Sequence, residues 1–149
     1  MIVVPDFRLI VMIVKGRKTT HRFPSGYAQN GNMADPKMRR GTLHKVYQFA
    51  PHGSHGKKNE NPMAMIEIAD IWDDLPWAWE DEHMPAEGFA DVYSYGEWWD
   101  AWHEKRYKKS WREMENEPFW VCSFRCIHRT VHFDGRFRGW LREQQTGRT

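Results

Sequence analysis

The run Val14-Lys15-Gly16-Arg17-Lys18-Thr19-Thr20-His21-Arg22 concentrates cations and hydrogen-bond donors around one glycine. Lysine and arginine offer charge-assisted donors to phosphate and carbonyl oxygens, and arginine presents them as a planar fork. Threonine and histidine add short-range donors and acceptors. A glycine just past an apolar helix can take the left-handed conformation that ends the helix, so the residues after Gly16 leave it in a fixed direction. As a strand they would place Lys18, Thr20 and Arg22 on one face and Thr19 and His21 on the other. Such a cluster suits an anionic or carbonyl-rich ligand, a nucleotide or RNA. It also suits a solvated basic turn. Arg17, Lys18, Thr19, Thr20, His21 and Arg22 are the candidate ligand-binding residues. Arg39 and Arg40, next to Lys37, form a second basic group.

The elements that must position this cluster read as follows. Ile2 to Val4 predicts a short strand. Pro5 and Asp6 suit a helix start, and Phe7, Ile10, Val11 and Val14 recur at helical spacing, so a helix is expected over about 6–15. A strand follows over 17–23. Residues 24–38, with Pro24, Gly26, Gly31 and Pro36, read as a mobile loop. Strands are expected over Gly41–Phe49 and Met63–Ile71, joined by a flexible tip at 51–58. A short acidic helix should begin at Leu75 and end at Pro85, and Tyr95–Trp111 reads as the longest helix. Phe119–Ile127 is rich in aromatic and β-branched residues, as a strand requires. The tail from Thr130 predicts a hairpin turn at Asp134-Gly135 and then a short helix. Several strands with two or three helices in this order give an α+β fold.

A helix running into Gly-Arg-Lys-Thr resembles the signature of the ASCH family, within the PUA-like superfamily. The family pattern is glycine, any, lysine, any, any, glutamate, any, arginine. Gly16 and Lys18 fit it, His21 holds the glutamate position, and Phe23 holds the arginine position with Arg22 one place early. A second region adds to the likeness. Ala86-Glu87-Gly88-Phe89-Ala90 precedes an aromatic helix with Trp98, Trp99 and Trp102. Then come Asn116, Pro118 and Phe119-Trp120-Val121-Cys122-Ser123-Phe124-Arg125. Phage and bacterial ASCH-like proteins are similar in this order. The resemblance covers residues 1–128 apart from the loop at 24–38, and leaves 130–149 as a basic C-terminal extension. It implies a PUA-like mixed β-barrel with flanking helices, and a cleft beside the Gly-Arg-Lys-Thr strand.

Length and composition agree with one domain over 1–149: 149 residues, 40% hydrophobic, with nine tryptophans and eight phenylalanines to build an aromatic core. The formal net charge is only +2, but residues 66–104 hold twelve Asp or Glu and no Lys or Arg, while 1–58 hold eleven Lys or Arg against Asp6 and Asp35. A fold that preserves this segregation has one positive side to attract phosphate. Cys122 and Cys126 would sit roughly 13 Å apart on one strand face, at about 3.3 Å per residue, too far for a disulfide. Free thiols point to a reducing cytoplasm. No metal site and no cofactor motif is expected. The longest apolar run, residues 9–14, is far short of the about 20 that a membrane span needs. No membrane association is expected, and a cytoplasmic location follows.

Two classes of function follow, and a third stands beside them. The resemblance implies an RNA-binding or modified-nucleotide-binding module, with Arg17, Lys18 and Arg22 on phosphates or a base carbonyl. It also implies a possible family enzyme, an amidohydrolase on acylated cytidine or a ribonuclease, whose catalytic group would be Lys18, His21 and Glu87. His21 stands where such amidohydrolases carry threonine, unless Thr19 or Thr20 substitutes. The third class is a protein-interaction module in which the acidic, aromatic segment 72–104 imitates nucleic acid.

Overall fold

The computed structural model describes residues 1–26, 32–49 and 61–146. Five strands form one sheet: β1 (Ile2–Val3), β2 (Thr20–Pro24), β3 (Leu43–Tyr47), β4 (Ala64–Asp74) and β5 (Phe119–Arg129). The order is β1-β3-β4-β5-β2, parallel between β1 and β3 and antiparallel elsewhere. The β4–β5 ladder shifts register between Met65 and Ile66 and again between Ile68 and Asp70. Such bulges bend a strand and increase its twist. The sheet curls into a half-barrel that stays open between its edges, β1 and β2. This is the α+β architecture expected above, a curled sheet with flanking helices.

Helix α1 (Phe7–Val14) fills the concave side, with Phe7, Leu9, Ile10, Val11 and Ile13 buried. Asp6 caps it, accepting a hydrogen bond from the Arg8 amide at 3.0 Å and another from the Trp98 indole at 3.0 Å. Inward residues of the strands, among them Val46, Ile66, Ile68, Val121 and Phe124, close the core around it.

The region between β4 and β5 departs from expectation. Leu75–Glu82 is not a helix but two 3-10 turns, Pro76–Ala78 and Asp81–His83, and Pro85 lies inside α2 (Met84–Glu87) instead of ending a helix. The long helix expected over Tyr95–Trp111 is three pieces: α3 (Val92–Trp102), α4 (Glu104–Tyr107) and α5 (Trp111–Met114). Lys108 takes φ +57°, which no helix continues through. Ser110 and Glu113 then form a reciprocal capping box that starts α5.

The tail has no hairpin. Asp134 and Gly135 lie inside α6 (Val131–Thr146), the longest helix of the described residues. The Thr130 hydroxyl accepts from the Phe133 amide at 3.1 Å and so caps the helix start. Phe133, Phe137 and Trp140 then lie on one helical face, and Phe133 and Trp140 pack against Phe7 with ring centroids 5.7 and 6.1 Å away. Helical periodicity outweighs the local turn signal of Asp-Gly. Among the described residues, no helix is long and apolar enough to cross a membrane. Residues 27–31 of the expected loop, and the whole expected tip at 51–58, lie outside the described residues.

Candidate functional site

Gly16, at φ +76°, ends α1 as expected. The Gly16 amide donates to the Ile13 carbonyl at 3.1 Å, and the Arg17 and Lys18 amides donate to the Met12 carbonyl at 2.8 and 3.1 Å. This tight reversal sends Lys18 into the protein, where it is 2% exposed. The Thr19 amide then donates to the Ala86 carbonyl at 2.8 Å, which ties the start of β2 to α2. Gly88, at φ +104°, closes α2, and a Cβ there would lie 2.7 Å from the Leu9 side chain. Both the backbone and Leu9 thus favour glycine at this turn, which presents Glu87 to β2.

Lys18 and Glu87 meet although 69 positions separate them. The Lys18 ammonium donates to the Thr20 carbonyl at 2.7 Å, the Glu87 carbonyl at 2.9 Å and Glu87 Oε1 at 3.1 Å. Oε1 also accepts from the Arg22 amide at 2.9 Å. Oε2 accepts from the Thr20 hydroxyl at 2.7 Å and from Arg22 Nη1 at 2.9 Å. Lys18, Arg22 and Glu87 are all buried, so two cations share one carboxylate and the cluster carries one unit of positive charge in excess. Burial lowers the Lys18 pKa, against the opposing pull of Glu87. Burial raises the Glu87 pKa, but Lys18 and then Arg22 outweigh it and hold the carboxyl below its ordinary value.

Arg22 links this cluster to a cavity. Its guanidinium carbon lies 4.8 Å from the Trp79 ring centroid, a cation–π contact that fixes the plane. Its Nε–H has no acceptor among the described residues. The cavity, about 240 Å³, lies between the two open edges of the half-barrel. Ile2 and Val3 form one wall, His21, Arg22 and Phe23 the other, and Trp99, His103 and Tyr107 close the end. The Trp99 indole N–H is likewise buried without an acceptor. The wall therefore holds two side chains with donors to spare. His21 is half-buried and packs face to face with Phe23 at 6.0 Å. Burial, helped by the positive charge of Lys18, pushes its pKa down to about 3. His21 is thus neutral near pH 7 and can accept a hydrogen bond.

The sequence candidates divide into three sets. Lys18, Thr20, Arg22 and Glu87 come together in the buried cluster, and His21 and Arg22 line the cavity. The hydroxyl that meets Glu87 belongs to Thr20, one residue before the position that the family pattern gives to His21. Arg17 is exposed and Thr19 half-buried, and neither lines the cavity. Arg39 is held by Asp35 through two bonds of 3.1 Å, Arg40 pairs with Asp70 at 3.3 Å, and both stand outside the cavity wall. Trp79, Trp99, His103 and Tyr107 were not singled out as site residues from the sequence. Trp99, His103 and Tyr107 recur every four residues, a spacing that places them on one face. Cys122 and Cys126 are free thiols, and burial pushes Cys122 up to about 12. The exposed trio Glu80, Glu82 and His83 brings one ligand atom each within 4.8 Å, an arrangement common on surfaces without an ion.

Solved structures share the fold of this half-barrel. An ASCH domain from Lactobacillus crispatus JV V101 superposes with a TM-score of 0.54 at 18% identity, covering 82% of this chain and 72% of that one. A DUF984 family protein from Enterococcus faecalis V583 superposes with a TM-score of 0.57 at 15% identity, covering 84% of this chain and 73% of that one. At these identities the likeness is one of fold. No protein-family model matches the chain, and no curated protein matches it.

Proposed function

We propose that this chain binds RNA or a modified nucleoside, with one base held in the cavity between β1 and β2. The observation that carries the reading is the excess buried cation whose Arg22 forms the cavity wall with an N–H left over. An acceptor-rich group such as a base carbonyl answers both the charge and the missing acceptor. At about 240 Å³ the cavity is smaller than the roughly 300–1,000 Å³ of pockets for drug-sized ligands, and it fits a single base or nucleoside, not a duplex. The aromatic end wall offers faces for stacking. ASCH domains are associated with RNA as a family, and the fold adds that support. Arg22→Met tests the reading. It leaves Lys18 paired with Glu87, so the folded state survives, and affinity for nucleosides and RNA should fall more than tenfold, about 1.4 kcal/mol. Unchanged binding in a titration followed by tryptophan fluorescence would refute the role of the cavity.

A second reading rests on one contact. The Thr20 hydroxyl donates to Glu87 at 2.7 Å, the geometry of a nucleophile beside its base. In an amidohydrolase acting on acylated cytidine, Thr20 Oγ would attack the acyl carbon while Glu87 takes its proton and passes it to the departing cytidine amine. Water would then hydrolyse the acyl-threonine to free carboxylate and threonine. Lys18, with its three N–H groups bonded, would hold Glu87 in place. Release of acetate from acetylated cytidine by the wild type, abolished in Thr20→Val, is the expected result. No release by the wild type would remove this reading and leave the binding reading intact.

A further inference from the structure

A second basic surface lies outside the cavity. The end of α1, the end of β5 and the first turns of α6 enclose an open groove of about 410 Å³. Three cations line it: Lys15, Arg129 and Arg138. Its one carboxylate, Asp134, holds Arg129 at 3.3 Å. Arg138 has no carboxylate within ion-pair distance among the described residues, and the groove carries a net charge of about +2 on this count. Its floor is aromatic. Phe137 is its half-exposed ring, backed by the buried Phe133 at 5.6 Å, and the Lys15 ammonium rests 5.4 Å from the Phe137 centroid. Cations over an aromatic floor are what a single nucleic-acid strand needs, because phosphates take the charge and sugars or bases take the rings.

The groove also adjoins the cavity cluster through the chain itself. Lys15 lies in the groove and Arg22 lines the cavity, so their Cα atoms are within about 25 Å, the reach of seven extended residues. At about 3.4 Å per stacked nucleotide, a strand of about 12 nucleotides is long enough to span that distance. We propose that this groove binds the sugar–phosphate backbone of single-stranded RNA flanking the base held in the cavity. The inference rests on the RNA reading above and adds a surface supplied by the C-terminal helix.

The test uses the triple variant Lys15→Gln, Arg129→Gln, Arg138→Gln, with its fold checked by circular dichroism. The ligands are uridine and an oligouridylate about 12 nucleotides long, a span typical of single-strand modules. Each neutralised phosphate contact contributes about 0.7 to the slope of log affinity against log salt, so three contacts contribute about 2. Between about 50 and about 200 mM salt, the wild type should therefore lose roughly 20-fold more oligonucleotide affinity than the variant. At low salt the variant should bind the oligonucleotide at least tenfold more weakly and uridine as the wild type does. An unchanged slope, or no binding of the oligonucleotide by the wild type, overturns the proposal. Equal binding of the wild type to vesicles of anionic lipid also overturns it, since the groove would then be a general anion surface. If oligonucleotide binding depends on the groove while uridine fails to bind, the groove stands and the cavity reading falls.

Discussion

Replacing Glu87 with glutamine should destabilise the protein more than replacing either of its cationic partners. The carboxylate accepts from the Lys18 ammonium, the Arg22 amide, the Thr20 hydroxyl and Arg22 Nη1. Glutamine keeps the volume but turns one oxygen into a donor that faces other donors. It also leaves two buried cations without a counterion. Removing one partner of a buried pair typically costs about 3–5 kcal/mol, and here one carboxylate serves two cations. That is a large part of the roughly 5–15 kcal/mol that stabilises a domain. Lys18→Met differs in kind: Arg22 stays paired with Glu87 and its amide still serves Oε1, so the loss is that of the Lys18 bonds to Oε1 and to the carbonyls of Thr20 and Glu87, about 1–3 kcal/mol. Urea unfolding at pH 7, followed by tryptophan fluorescence, separates the two. With a slope near 2 kcal/mol per molar urea, Glu87→Gln should move the midpoint down by about 1.5–2.5 M. The effect has a pH signature. Because the folded carboxyl titrates below its ordinary value, its contribution is complete above the unfolded carboxylate range and is lost as pH falls through the folded value. The wild-type and Glu87→Gln curves should therefore converge in acid. A loss below about 1 kcal/mol, or one no larger than that of Lys18→Met, would refute the picture of a shared counterion.

Other outcomes follow from the same geometry. His21 titrates at about 3 when folded and near 6.5 when unfolded, so between those values the unfolded chain binds the extra proton. Stability should rise with pH across that window by up to about 1.4 kcal/mol per unit from this group alone, and His21→Gln should flatten that part of the profile. Gly88→Ala meets both a left-handed backbone and the Leu9 side chain at 2.7 Å, and should cost about 2–4 kcal/mol in the same urea assay. Gly16→Ala, with φ +76° but open space around it, should cost only the backbone part, about 1–2 kcal/mol; equal losses at the two glycines would contradict the packing argument.

Local signals carried much of the fold. The apolar spacing of Phe7–Val14, the glycine stop at Gly16 and the β-branched and aromatic run from Phe119 each specify their element without help from distant residues. The errors occur where distant packing decides. Asp134-Gly135 is a turn signal on its own, yet Phe133, Phe137 and Trp140 form a stripe that finds Phe7, and the helix runs through the glycine. Residues 95–111 carry aromatic side chains at helical spacing, and the break at Lys108 has no proline or glycine to announce it. The capping pair Ser110 and Glu113 straddles the end of that stretch, where the aromatic spacing runs on through Trp111. In the site, Thr20 and Arg22 share a face of β2 as alternation requires, and Lys18 joins them from the turn just before the strand. Glu87 joined them only through resemblance, because no local pattern links residues so far apart. A cleft beside this strand was expected only through resemblance, and its walls had no local signal, since it lies between two sheet edges that only the curl of the sheet makes neighbours.

The two sites of proton exchange in this cluster are both poor bases as they stand. A general base works best with a pKa near the working pH. His21 lies at about 3, and the Glu87 carboxyl, although burial pushes it up, is brought below its usual range by Lys18 and Arg22. The unliganded cluster is thus arranged to hold charge and offer donors, not to take up protons. This favours binding as its resting role. It also states what hydrolysis would require. A ligand oxygen that engaged Arg22 would draw on the same guanidinium that depresses Glu87, and its entry would expel water from a cluster already dominated by burial. Both changes move the Glu87 pKa upward, toward the range in which it could accept the Thr20 proton. On that chemistry, hydrolysis through Thr20 would require a ligand already held by Arg22.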